Sequence, residues 1–205
     1  EAMRCMNCGN GASVSPETCI ACLTCVRVCP FEIPKIKEGD NFAYIDNDCQ
    51  SCGMCVVECP AKAIEFKGPY EDMGKAQLQE AFKEAKTSEP LIINFYCSYN
   101  LDLVLSKEEV PKNIRQVNLL SLGKLSPGLI LDAFEKGADG VLITSCDDSC
   151  HFGDSCNTWA EQRAETAMEF LDSIGIEKER VKYHTLPDQD GNSFLQTANQ
   201  LIEEK

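Results

Sequence analysis

The chain has 205 residues, enough for one domain of ordinary size and a small second one. Its 19 basic and 33 acidic side chains leave a net charge of −14, shared by both halves, which excludes a basic nucleic-acid platform and favours docking to basic surfaces. No apolar run approaches the ~18 residues of a membrane span, so no membrane insertion is expected, and 14 cysteines without an export signal read as cytoplasmic metal ligation rather than disulfides.

Residues 1–13 read as an arm carrying Cys5 and Cys8 in a C-x2-C spacing. Two thiols do not close a metal site, so other ligands must join them or they stay free on the arm. Residues 14–67 hold one pattern twice: Cys19-x2-Cys22-x2-Cys25-x3-Cys29-Pro30, then Cys49-x2-Cys52-x2-Cys55-x3-Cys59-Pro60. Three thiolates on such a loop can hold three corners of a 4Fe–4S cubane, while the fourth cysteine leads away to the neighbouring cluster. Cluster I is then expected on Cys19, Cys22, Cys25 and Cys59, and cluster II on Cys49, Cys52, Cys55 and Cys29. The prolines end each turn because they cannot continue a helix. Zinc sites pair C-x2-C units across a knuckle, which is a different pattern. Residues 42–45 and 63–66 read as short strands that, with Ile33 and Ile36, wall off the clusters.

This stretch resembles the bacterial-type two-cluster ferredoxins, with all eight cysteines matched. The Glu1-Ala-x-Arg-Cys-x-x-Cys-Gly opening resembles the end of the flavin domain in glutamate-synthase-like and heterodisulfide-reductase-type flavoproteins. That resemblance implies a longer flavoprotein of which this is a C-terminal part, with FAD on the missing part or on a partner.

Residues 68–90 read as a linker, centred on 67–70, and a helix over 72–86 with Leu78, Ala81, Phe82 and Ala85 on one stripe. From residue 91 to 205 strands and helices alternate. Strands are expected at 91–96, 114–120, 140–145 and 181–186. Ser126-Pro127 opens a helix that stops at Gly137. Thr158-x-x-Glu161 reads as a capping box for the next helix, and Phe194, Leu195, Ala198, Leu201 and Ile202 mark the last. The expected fold class is an α+β dicluster ferredoxin domain followed by an α/β domain with a mainly parallel sheet and right-handed crossovers.

Cys97 follows the first of these strands and Cys146 the third, so parallel pairing brings both to one sheet edge, where α/β folds bind ligands. The following stretch adds Cys150 and Cys156. Four such cysteines can ligate a 2Fe–2S cluster, hold zinc, or form a dithiol/disulfide pair. His151 reads as a hydrogen-bond donor behind the ligands or as solvent-facing, and His184 as ordinary packing. Trp159 and Met168 fit a helix core stripe.

The domain resembles the delta subunit of methyl-viologen-reducing hydrogenase, a family also fused to heterodisulfide reductase subunits and to the quinone-interacting oxidoreductase complex. The resemblance rests on Cys97-Ser-Tyr99, Ser126-Pro127, Ala133-Phe134, Gly137-Ala-Asp-Gly-Val141, Cys146…Cys150-His151-Phe152 and Ile174-Gly-Ile-Glu-x-x-Arg180. It implies a 2Fe–2S cluster and electron flow between a hydrogenase or other donor and a flavin-bearing reductase. Three positions depart from the family pattern. Asn94 and Ser121 stand where cysteines are expected, and the Cys146-x3-Cys150 spacing is one residue short; Cys156 is an extra thiol.

No phosphate loop, dinucleotide fingerprint or Ser/His/Asp set appears, so no catalytic residue is assigned. The expected function is an iron–sulfur electron-transfer subunit serving a hydrogenase, heterodisulfide-reductase-like or quinone-linked complex. The alternative is a zinc- or thiol-based docking or regulatory module with a ferredoxin attached.

Overall fold

A computed structural model describes residues 11–66, 73–83, 90–97, 110–146, 150–186 and 191–203. Cys5, Cys8, the 67–70 linker, Asp72 and Ala85 of the first helix, and Ser98-Tyr99 lie outside the described residues. The chain divides into two units, Glu1–Met73 and Gly74–Lys205.

In the first unit, β1 (Ala12–Val14) pairs antiparallel with β2 (Ile64–Phe66). β1 lies partly inside the stretch read as an arm, because a three-residue strand in a Gly-rich run leaves no alternation to read. Two five-residue helices follow the cysteine loops, α1 (Thr24–Val28) and α2 (Met54–Glu58). Ala12, Ala43, Ala63, Ile64 and Phe66 are buried with Cys25, Cys55 and Cys59 in one core, against which Ile36 and Ile45 pack. The expected strand at 42–45 reduces to a single bridge, Tyr44 with Lys35, since Ala43 turns into the cysteine cavity instead.

The second unit holds α3 (Met73–Lys83) from Gly74 on and carries four strands: β3 (Ile92–Cys97), β4 (Ile114–Leu119), β5 (Gly140–Ser145) and β6 (Val181–Thr185). They pair in the order β4-β3-β5-β6, all parallel. Every residue of β5 is buried, as a strand covered on both faces requires. Helices α4 (Pro127–Glu135), α5 (Asp154–Ser173) and α6 (Gly191–Glu203) follow β4, β5 and β6. Ser126 caps α4 as expected, its Oγ accepting from the Leu129 amide at 3.2 Å.

Helix α5 corrects the capping-box reading. It begins at Asp154 after Gly153, whose φ of 76° suits glycine, so Thr158 lies in its second turn. The buried stripe is Cys156, Ala160, Arg163, Ala164, Ala167 and Leu171, at helical spacing, with Trp159 and Met168 half-buried beside it. Cys156 is therefore a helical residue, not a loop residue.

Several residues behind the delta-subunit resemblance tie down the sheet's amino ends. Arg180 donates to the carbonyls of Asp139 (2.7 Å) and Ala138 (3.3 Å) and lies 5.2 Å from the Phe134 ring. The Asp139 carboxylate in turn accepts from the Leu91 amide at 2.8 Å. The thiols occupy the opposite edge.

Candidate metal centres

The two cysteine loops of the first unit are duplicated in their backbone. Ala21, Leu23 and Glu32 have φ of 52°, 62° and 52°, and Ser51, Gly53 and Lys62, each 30 positions later, have 56°, 86° and 50°. Five of the six carry a Cβ that disfavours this region, a strain of about 1–2 kcal/mol each that surrounding structure must hold. Turns that contain left-handed residues can aim backbone amides into a concavity of the kind that receives anionic iron–sulfur groups. The turn after each loop repeats as well: the Glu32 amide donates to Cys29 O at 3.3 Å and the Lys62 amide to Cys59 O at 3.2 Å.

One cavity is lined by Cys19, Cys22, Cys25 and Cys59, together with Ala43 and Ile64. These are three thiols of the first motif and the last of the second, which is the donor set a cubane would take. Cys59 Sγ also accepts from the Ala63 amide at 3.3 Å. The Thr24 hydroxyl lies 3.4 Å from Cys22 Sγ and is the main cause that lowers that thiol's pKa, whereas burial raises that of Cys25. Burial drives Cys55 well up, and the next contributions come from Cys52, Cys49 and Cys29, the other members of the second set. A Cβ at Gly11 would come within 3.0 Å of Cys49 Cβ, so β1 enters the unit close against the second loop. Soft thiolate sets of this kind suit iron–sulfur groups.

The strand order of the second unit reverses direction between β3 and β5, so the crevice at their carboxyl ends is the topological switch point. Cys97 ends β3 and Cys146 follows β5, both buried. Cys150 hydrogen-bonds to both Cys146 and Cys156, which drives its pKa far up, while Cys156, accepting from Cys150, falls to about 6. Ser121 Oγ lies 3.3 Å from Cys156 Sγ, and the Gly123 amide and the Arg163 cation also favour the Cys156 thiolate. Cys97 Sγ donates to the carbonyl of Leu120, the neighbour of Ser121, at 3.5 Å. The structure thus brings Cys146, Cys150 and Cys156 together and sets Cys97 at the same edge. Among the described residues no three His, Cys, Asp or Glu side chains close round a single ion. That holds equally for the loops that carry the two cysteine motifs.

The two positions without the expected cysteine, Asn94 and Ser121, have different fates. Alternate residues of a strand face opposite sides, so Asn94 lies across the sheet from Cys97. Its amide is buried in a ladder, donating to Gln116 Oε1 at 2.7 Å and accepting from Thr144 Oγ1 at 2.7 Å. Ser121, by contrast, sits in the thiol site. His151 is exposed and meets Phe152 edge-on at 5.0 Å; His184 packs as expected, its ring nitrogens 3.3 Å from Ser193 Oγ and Thr197 Oγ1.

Three residues around this site escape sequence reasoning. Arg163, only 4% exposed, donates to the carbonyls of Gly123 (2.9 Å) and Leu125 (3.0 Å) and lies 5.7 Å from the Trp159 ring. Asn157 Nδ2 donates to Cys146 O at 2.8 Å, and Tyr183 Oη to Asn157 O at 3.3 Å; burial pushes the Tyr183 phenol up to about 12. A lone arginine in the apolar stripe of α5 is the one signal that could have marked this surround.

Residues 18–64 match the 4Fe-4S dicluster domain and residues 91–204 the delta subunit of methyl-viologen-reducing hydrogenase. The chain is 33% identical over 201 residues to a ferredoxin:CoB-CoM heterodisulfide reductase subunit of Methanosarcina mazei, covering 95% of this chain but 25% of that protein. It thus spans about a quarter of the length of that relative. The vhc iron-sulfur subunit of the F420-non-reducing hydrogenase of Methanococcus voltae is 31% identical over 125 residues, covering 58% of this chain and 86% of that protein. Ferredoxin-1 of Caulobacter vibrioides is 42% identical over 62 residues, covering 29% of this chain and 53% of that protein. With more than half of its length matched, the chain belongs to the methyl-viologen-reducing hydrogenase delta-subunit family, here with a 4Fe-4S dicluster domain ahead of the family's own domain.

Proposed function

We propose that the chain carries single electrons between a redox donor and a heterodisulfide-reductase-like, hydrogenase or quinone-linked complex, and that catalysis sits on partner chains. The observation that carries this reading is the cavity lined by Cys19, Cys22, Cys25 and Cys59, drawn from both motifs. Cys49, Cys52, Cys55 and Cys29 are the corresponding second set. A bound cubane supplies one-electron chemistry, while its potential follows from burial, charge and hydrogen bonds to sulfur. The chain contributes those: Thr24 and the Ala63 amide at ligand sulfurs, and an apolar wall of Ala43, Ala63 and Ile64. The acidic balance favours docking to basic patches on redox partners. Among the described residues no helix is long and apolar enough to cross a membrane. A cytoplasmic setting, and FAD held by a partner or by a preceding part of a longer chain, complete the reading.

In the second unit, Cys97, Cys146, Cys150 and Cys156 are the candidate ligands of a 2Fe–2S cluster. Their soft donor set, buried at Cys97, Cys146 and Cys156 and half-buried at Cys150, suits it. The test is iron and acid-labile sulfide per chain after anaerobic purification, with EPR of the reduced protein. About 10 irons and an added 2Fe–2S signal support a three-cluster carrier. About 8 irons restrict the redox groups to the two cubanes, and fewer than about 8 overturn the carrier reading.

A further inference from the structure

The carboxyl edge of the sheet receives a thiol from β3 (Cys97) and another after β5 (Cys146), but the end of β4 delivers Ser121. A serine hydroxyl keeps its proton at neutral pH and is a hard donor, poorly matched to an iron–sulfur group that soft thiolates hold. Yet Ser121, fully buried, lies 3.3 Å from the Sγ of Cys156, which is 1% exposed and arrives from α5. We infer that Cys156 supplies the cluster ligand that position 121 would otherwise supply, and that the Ser121 hydroxyl serves Cys156 as hydrogen-bond donor. This rests on the reading of the site as a 2Fe–2S site.

Two features hold the exchange in place. Arg163 stands two turns beyond Cys156 on the same helix and binds the carbonyls of Gly123, inside the turn that follows Ser121, and of Leu125, which ends it. The cation therefore ties the Ser121 corner to the helix that bears the replacing thiol. The tight turn into α5, with the Gly153 amide donating to Cys150 O and the Cys156 amide to Gly153 O, both at 3.0 Å, brings Cys156 back to Cys150. A side chain at 121 and one at 156 thus reach the same place from different elements. A hydroxyl donating to a ligand sulfur draws charge from it and raises the reduction potential.

The experiment measures iron per chain and EPR on anaerobically purified protein, with the fluorescence of Trp159, the only tryptophan, reporting that α5 is in place. Wild type with about 8 irons would remove the cluster reading itself, before any variant is compared. Given about 10, Cys156→Ala should lose about two irons and the 2Fe–2S signal while both cubane signals remain. The double variant Ser121→Cys/Cys156→Ala should regain both. Retention of all irons by Cys156→Ala, or failure of the double variant to regain them with Trp159 fluorescence native, would overturn the exchange. Ser121→Ala should keep its irons and titrate at a lower potential; an unchanged potential would remove the hydroxyl's role.

Discussion

The eight motif cysteines of the first unit ride on two loops whose left-handed positions repeat 30 residues apart, so each loop brings its own three thiols together. The thiols of the second unit come from the ends of two strands, one loop and a helix, and share one edge only because four parallel strands set those ends there. A site of the first kind survives distant damage and fails when its loop is touched. A site of the second kind inherits the stability of the whole sheet. Helix α5 makes the dependence concrete, since it carries Cys156, the Asn157 amide on Cys146 O, and the Arg163 cation on the turn after Ser121.

The largest expected effects test the proposed crossing of the fourth cysteines in the first unit. Cys25→Ala and Cys59→Ala should each remove one cubane, about four irons, and the double variant should lose no more than either alone. Cys55→Ala/Cys59→Ala should lose about eight. The reverse outcome, in which Cys55 and Cys59 behave as one set, would mean that each motif closes on itself and would sink the assignment drawn from the cavity lining. Arg163 tests the second site in the same way. Arg163→Met leaves two buried carbonyls without their donor, each worth about 1–3 kcal/mol, so the second unit should lose about 2–6 kcal/mol. Thermal unfolding followed at Trp159 reads this, while the cubane EPR signals stay as in wild type. Cubane loss in Arg163→Met would show that the two sites are not independent.

The same difference explains what can be read from the sequence. The cubane motifs are local, so the spacing alone points to eight candidate ligands, and the strand at 140–145 is legible because it is nearly all apolar. What the sequence hides is what tertiary structure decides. β1 is too short and Gly-rich to show alternation, and the 42–45 run gives up strand pairing because Ala43 turns into the cysteine cavity. The start of α5 is misread because Thr158 and Glu161 imitate a cap, whereas Gly153 with its positive φ begins the helix. Ser121 and Cys156, 35 positions apart, have no sequence relation that would announce a contact. Asn94 shows the opposite trap: a position where a ligand is expected is filled by a hydrogen-bond ladder on the other face of the sheet.

The smallest expected effect separates the units by pH. Both histidines lie in the second unit, so the first has none to titrate near neutrality. Burial under α6 lowers the pKa of His184 from its ordinary 6.5, so the fold prefers the neutral ring. A folded-state pKa below the unfolded value gives stability that is present in full above about 6.5 and lost as pH falls through the folded value. The Trp159 unfolding midpoint should therefore drop between pH 7.5 and 5 by more in wild type than in His184→Gln, whose amide keeps partners in Ser193 and Thr197 without a proton to take up. The cubane signals should not move over that window. Parallel curves for wild type and His184→Gln would show that another group carries the pH dependence, and a cubane signal that falls with the midpoint would break the independence of the two sites.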